Sequence, residues 1–125
     1  MEQNRPMKRI VLALCFASLL SCDESTDKSV SYPVLRASLA CSKEPSEMRW
    51  IQDLIDESKK DLTLTASLYL SRLNGEPVFV HQPMVMSCWA CIIYDCNGER
   101  INREMLDQAD LTEIGDGMRA IYNPY

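Results

Sequence analysis

From Ile10 to Leu20 nearly every position is apolar, after a start that carries Arg5, Lys8 and Arg9, and from Asp23 to Ser29 none is. Eleven residues at a helical rise of about 1.5 Å each reach about 17 Å, well short of a hydrocarbon core of about 30 Å. The first run therefore fits an export signal over 1–21 better than a permanent membrane span. The polar run has no face to bury and predicts a flexible tether over 22–40, followed by one small domain over 41–125.

Within that domain, residues 45–60 carry the helical period. Trp50, Ile51, Leu54 and Ile55 form one apolar stripe, while Arg49, Asp53, Asp56 and Glu57 lie largely away from it. Pro45 suits the first helical position, Glu47 the positive end, and Lys59 and Lys60 the negative end. Two Asn-Gly pairs then mark hairpins. Asn74-Gly75 joins strands near 65–73 and 76–82, and Asn97-Gly98 joins strands near 85–96 and 99–103. Two-residue turns would pair Leu70 with Phe79, Tyr69 with Val80, Tyr94 with Ile101 and Asp95 with Arg100. Pro83 separates the hairpins. Arg103 to Asp110 reads as a short helix, Gly115-Asp116-Gly117 as a break, and Met118 to Tyr122 as a last strand. The expected fold is α+β, with one N-terminal helix packed on an antiparallel sheet of four or five strands in two layers.

The ending Leu19-Leu20-Ser21-Cys22 resembles the bacterial lipoprotein box. The resemblance implies cleavage before Cys22, a thioether-linked diacylglycerol on its sulfur and acylation of the new amine. Two or three acyl chains, at about 0.8 kcal/mol per buried methylene, exceed what stable anchoring needs. In lipoproteins of Bacteroides-like bacteria, acidic residues directly after the lipid-bearing cysteine resemble a surface-export signal; enteric-type sorting would read Asp23 as inner-membrane retention. A lipid-anchored place in the cell envelope is expected, with the outer membrane or cell surface favoured over the inner membrane.

Charge narrows the partners. Residues 1–21 hold one of the chain's 18 acids and three of its 13 bases, so the remaining 104 residues carry a net charge of −7. A negative field without a basic stripe disfavours nucleic acid. A domain of this size buries only about 60–65% of its unfolded surface, so a crosslink would help it.

Trp50 with Leu54-Ile55 in a leading helix, Tyr69 before the first Asn-Gly turn, Val78-Phe79, the Tyr94-Asp95-Cys96-x-Gly98 hairpin and the closing Ile121-Tyr122 resemble small Bacteroides-type lipoproteins of uncharacterised function. The similarity covers roughly 46–125 and the lipobox. It implies a fold and a surface location but no reaction. The Cys88-Trp89-Ala90-Cys91 segment has no counterpart in that pattern.

Cys15 leaves with the signal and Cys22 carries lipid, which leaves Cys41, Cys88, Cys91 and Cys96. In an exported protein four cysteines point to two disulfides. On one continuous strand over 85–96, however, Cys88 and Cys91 would lie about 10 Å apart on opposite faces, and Cys96 about 17 Å from Cys91, beyond the roughly 7 Å reach of a disulfide. Only Cys41 could then pair, once, with Cys91 or Cys96 as the favoured partner. Read instead as a loop motif, Cys88-x-x-Cys91 has the spacing of thiol–disulfide enzymes, but no helix follows to lower a thiolate pKa. His81, Met84, Met86, Cys88 and Cys91 together offer the soft donors that suit copper(I), although Met and Cys on a buried strand ordinarily pack a core.

No Gly-x-Ser-x-Gly elbow, Gly-rich phosphate loop or distinct carboxylate pair occurs. A non-enzyme without a cofactor is expected, a binding or scaffolding domain whose partner is a protein or a glycan. Tyr69, Trp89, Tyr122 and Tyr125 are the aromatic candidates for that contact.

Overall fold

The computed structural model describes residues 29–125; the expected signal, Cys22 and the first part of the expected tether lie outside them. Among the described residues three α-helices and five strands follow in the order α1 (Tyr32–Cys41), α2 (Arg49–Ser58), β1 (Ala66–Leu73), β2 (Glu76–Pro83), β3 (Ile93–Tyr94), β4 (Arg100–Ile101), α3 (Gln108–Gly117) and β5 (Arg119–Tyr122). The strands form one antiparallel sheet in the order β4-β3-β2-β1-β5. The α+β class and the helix-on-sheet packing are as expected from the sequence, with helices on both faces of the sheet rather than one.

Period-2 alternation explains how the sheet carries two cores. Leu68, Leu70, Phe79 and Tyr94 turn to one face, where they join Val34 and Ala37 of α1 and Ile51 and Ile55 of α2. Trp50 closes this core with an edge-on contact to Phe79 at 5.4 Å between ring centroids. Tyr69, Leu73, Val78, Val80 and Ile93 turn to the other face, against Ile114 of α3 and Ala90.

The first hairpin follows the Asn-Gly rule. Tyr69 pairs with Val80 and Leu70 with Phe79, and both Asn74 (φ +53°) and Gly75 (φ +79°) are left-handed, as the two-residue turn requires. The carboxylate of Glu113 on α3 accepts from both turn amides, at 2.7 and 3.3 Å.

The second hairpin is shifted by one residue from expectation. Ile93 pairs with Ile101 and Tyr94 with Arg100, because the loop has three residues, Cys96-Asn97-Gly98. Asp95 is the cause: its carboxylate accepts from the amides of Asn97 (2.8 Å) and Glu99 (3.0 Å), and its carbonyl from Gly98 (3.1 Å). A type I turn then needs its positive φ only at Gly98, at +78°. A Cβ there would sit 3.0 Å from the Trp50 ring, so this glycine also seats the aromatic core.

Three further expectations are corrected. Residues 32–40 of the stretch expected as tether belong to α1, which buries Val34, Ala37 and Ser38. This helix has Pro33 in its first turn but no single apolar stripe, since Tyr32, Val34, Leu35, Ala37 and Leu39 surround it, so periodicity did not reveal it. The expected strand over 85–96 is reduced to β3, and the preceding residues are loop. At the tail, Arg103–Met105 makes a single tight turn, and α3 runs through both glycines to Gly117. Asp107 and Asp110 start α3 by reciprocal capping, at 2.8 and 3.1 Å. Gly117 does not break the helix because its missing side chain admits Ser71, whose Oγ would meet a Cβ at 3.0 Å. The Ser71 hydroxyl donates to the Ile114 carbonyl and ties α3 to β1.

Candidate functional site: the loop closed by Cys88 and Cys91

The chain between β2 and β3 is the part of the described structure least explained by core packing. Pro83 ends β2, a tight turn follows with the Met86 amide on the Pro83 carbonyl (3.2 Å), and the chain folds back over the α3 side of the sheet. Gln82 organises it from within: its amide nitrogen donates to the carbonyls of Met86 (3.1 Å) and Cys88 (3.3 Å), and its oxygen accepts from the Ala90 amide (3.3 Å). Ala90 is fully buried with φ +54°, and beside it Cys88 and Cys91 form a disulfide with Cα atoms 5.7 Å apart. Cys88 and Cys91, expected on opposite faces of one strand and too far apart to bond, pair because residues 84–91 form a loop and not a strand. The guanidinium of Arg100 donates to the Cys91 carbonyl at 3.3 Å, beside a groove of about 470 Å³.

This loop displays apolar side chains outward. Met84 is 57% exposed, Val85 70% and Trp89 42%, and Met86 is also exposed. The Trp89 ring edge lies over Gly115 of α3, where a Cβ would approach it to 3.3 Å. The Tyr125 hydroxyl contacts the Met84 sulfur. Of the other aromatic candidates, Tyr69 packs against the α3-side core and Tyr122 against the opposite core, with the Lys59 ammonium 5.8 Å from its ring centroid.

The soft-donor cluster expected from sequence is dispersed. His81 turns to the opposite face of the sheet, beneath α2, among Leu54, Ile55, Ser58 and Tyr122. Both its ring nitrogens are buried without a hydrogen-bond partner. Burial, and secondarily the charge of Arg100, holds its pKa below the usual imidazole range. Cys88 and Cys91 are bonded to each other, Met84 faces Tyr125, and Met86 sits on the loop surface. Among the described residues no group of three His, Cys, Asp or Glu side chains is arranged to hold a metal ion.

Cys41 pairs with Cys96, one of the two partners expected for it, with Cα atoms 5.8 Å apart. The bond ties the end of α1 to the β3–β4 turn, and Lys43 adds a hydrogen bond to Asn97 across the same seam. Gln82 is the residue that sequence reasoning missed: its polar side chain at the end of a strand gave no sign that it would hold the following loop.

No family model matches the chain, and no characterised protein or solved structure is significantly similar to it.

Proposed function

We propose that this protein is an exported lipoprotein, held to the outer membrane or cell surface by acyl chains on Cys22, whose domain binds a protein partner without catalysis through the loop Met84–Trp89. The observation that carries the reading is the exposure of Met84, Val85, Met86 and Trp89 on a loop fixed by a disulfide and by three hydrogen bonds to Gln82. A rigid loop loses little entropy on binding, and concentrated apolar exposure is costly unless a partner covers it. Met, Val and Trp together suit an apolar protein surface better than a hydroxyl-rich glycan. Two disulfides also fit an oxidising compartment. The chain keeps its similarity in pattern to small Bacteroides-type lipoproteins as part of this proposal.

Thiol–disulfide exchange at Cys88 and Cys91 is the second reading, drawn from their two-residue spacing and their bond. It has less support, because both cysteines are half-buried and no helix starts at either.

Two measurements test the proposal. Cells fed labelled palmitate should incorporate it into the wild type and not into Cys22→Ser; label-free protein in the soluble cell interior would overturn the anchor. A photo-crosslinking residue at position 85 should capture one discrete protein in intact cells, and Val85→Asp should weaken that complex at least about tenfold with an unchanged melting temperature. An equal yield from a probe at the exposed Leu62, or capture of carbohydrate alone, would overturn the binding surface.

A further inference from the structure

At the far end of the sheet from that loop, three arginines converge on one cavity. Arg72 on β1 lies two residues beyond Leu70, and Leu70 pairs with Arg119 on β5, so the two arginines are diagonal neighbours on the same face. Arg36, from α1 packed on that face, lines the same cavity of about 440 Å³, which Leu39 and Asp116 also line. Among the described residues none of these arginines has an ion-pair partner; the single salt bridge joins Lys60 to Glu57. The Arg36 Nε is buried without a hydrogen-bond partner.

Three arginines against one carboxylate, Asp116, leave the cavity lining net positive in a chain with 18 acids and 13 bases. Three arginines lining one space bring like charges together, and the exposed Asp116 carboxylate forms no ion pair with any of them. An anion that accepts several charge-assisted hydrogen bonds from the guanidinium groups would relieve that crowding of like charge. A tetrahedral phosphate, with several acceptor oxygens, matches three donors from three elements better than a single carboxylate does.

The surface beside the cavity says which phosphate. The outer side of α1 carries Tyr32 (61% exposed), Leu35 (43%) and Leu39 (67%), spaced along one helix face, and Val30 precedes them at 45%. A helix apolar on both its core side and its outer side calls for a second apolar cover. Cys22 precedes Tyr32 by only ten residues, a span of about 17 Å for a flexible chain and about 35 Å at most. With acyl chains at Cys22, α1 is the described helix joined to the bilayer by the shortest stretch of chain.

We infer that Arg36, Arg72 and Arg119 form a binding site for the phosphate of an anionic phospholipid headgroup, with the Tyr32–Leu35–Leu39 face of α1 lying against the membrane. The phosphate site stands on the arginines; its assignment to a lipid rests on the anchoring proposed above. Bound this way, the domain sits with α1 down on the membrane, and the Met84–Trp89 loop is left to a partner.

Arginine footprinting tests this on the full acylated chain. Phenylglyoxal modification, mapped residue by residue, is followed on protein in detergent with and without inorganic phosphate, and on protein in phosphatidylcholine vesicles with and without phosphatidylglycerol. Phosphatidylglycerol should slow modification of Arg72 and Arg119 about fivefold or more, with exposed Arg49 unchanged, and inorganic phosphate should protect the same residues at higher concentration. Arg72→Gln, an exposed position, should abolish the protection of Arg119. Protection by inorganic phosphate but not by phosphatidylglycerol overturns the lipid assignment, and protection by neither overturns the site. A chain that does not float with vesicles contradicts the acyl anchor instead, and the phosphate arm still decides the site.

Discussion

The two disulfides hold two regions of the same small domain in different ways. Cys41–Cys96 spans 55 residues and joins α1 to the β3–β4 turn, beside the core built on Phe79, Ile51 and Trp50. Cys88–Cys91 spans three and shapes one loop over the core around Val80, Ala90 and Ile114. In the chain-entropy model the long closure is worth about 4 kcal/mol and the short one about 2 kcal/mol at most. One crosslink therefore supports the fold, while the other gives a surface its form. The loop with the short bond is also where Met84, Val85 and Trp89 are exposed, so rigidity and unsatisfied apolar surface coincide there.

The largest effect should come from the long bond. Replacing Cys41 and Cys96 by alanine together is expected to lower unfolding stability by about 4 kcal/mol in urea denaturation, a large share of what a domain of this size has. A loss below about 1 kcal/mol would show that the α1 and α2 packing is self-sufficient, and would remove the contrast between the two regions.

Replacing Cys88 and Cys91 by alanine should cost no more than about 2 kcal/mol. Trp89 should move off Gly115, which a change in its fluorescence would report, and capture of the partner at position 85 should fall. Unchanged binding would mean that Gln82 alone shapes the loop.

The smallest effect concerns acid. His81 is buried neutral beneath α2, with its pKa held below the ordinary 6.5. The unfolded chain therefore binds a proton first, so this contribution is complete above about pH 6.5 and is lost as pH falls toward the lower folded value. His81→Leu should flatten the pH dependence of the melting temperature in that window; an unaltered slope would assign it to other groups.

Several elements were legible because local rules acted alone. Trp50, Ile51, Leu54 and Ile55 marked α2 through a one-sided stripe, and Asn74-Gly75 set the register of β1 and β2 without help. The second Asn-Gly pair misled by one residue because Asp95, outside the dipeptide, drew the turn into its own hydrogen bonds. For the candidate site, the sequence singled out Cys88-Trp89-Ala90-Cys91 but gave the wrong backbone: alternation over 85–96 implied a strand and thus separated the two sulfurs.

Charge, hydropathy and turn chemistry are properties of neighbours along the chain, so the sequence by itself determined the α+β class, the amphipathic helix α2, the first hairpin and the expectation of a lipid anchor at Cys22. Tertiary structure decided the rest. Helix α1 exists because a sheet face and α2 were there to cover Val34 and Ala37, and α3 passes through two glycines because Ser71 and Trp89 occupy the space they leave. Arg36, Arg72 and Arg119 stand 36 and 47 positions apart in the chain; only the β1–β5 pairing and the packing of α1 place them around one cavity. Contacts between distant segments depend on which surfaces meet, and no local pattern carries that information.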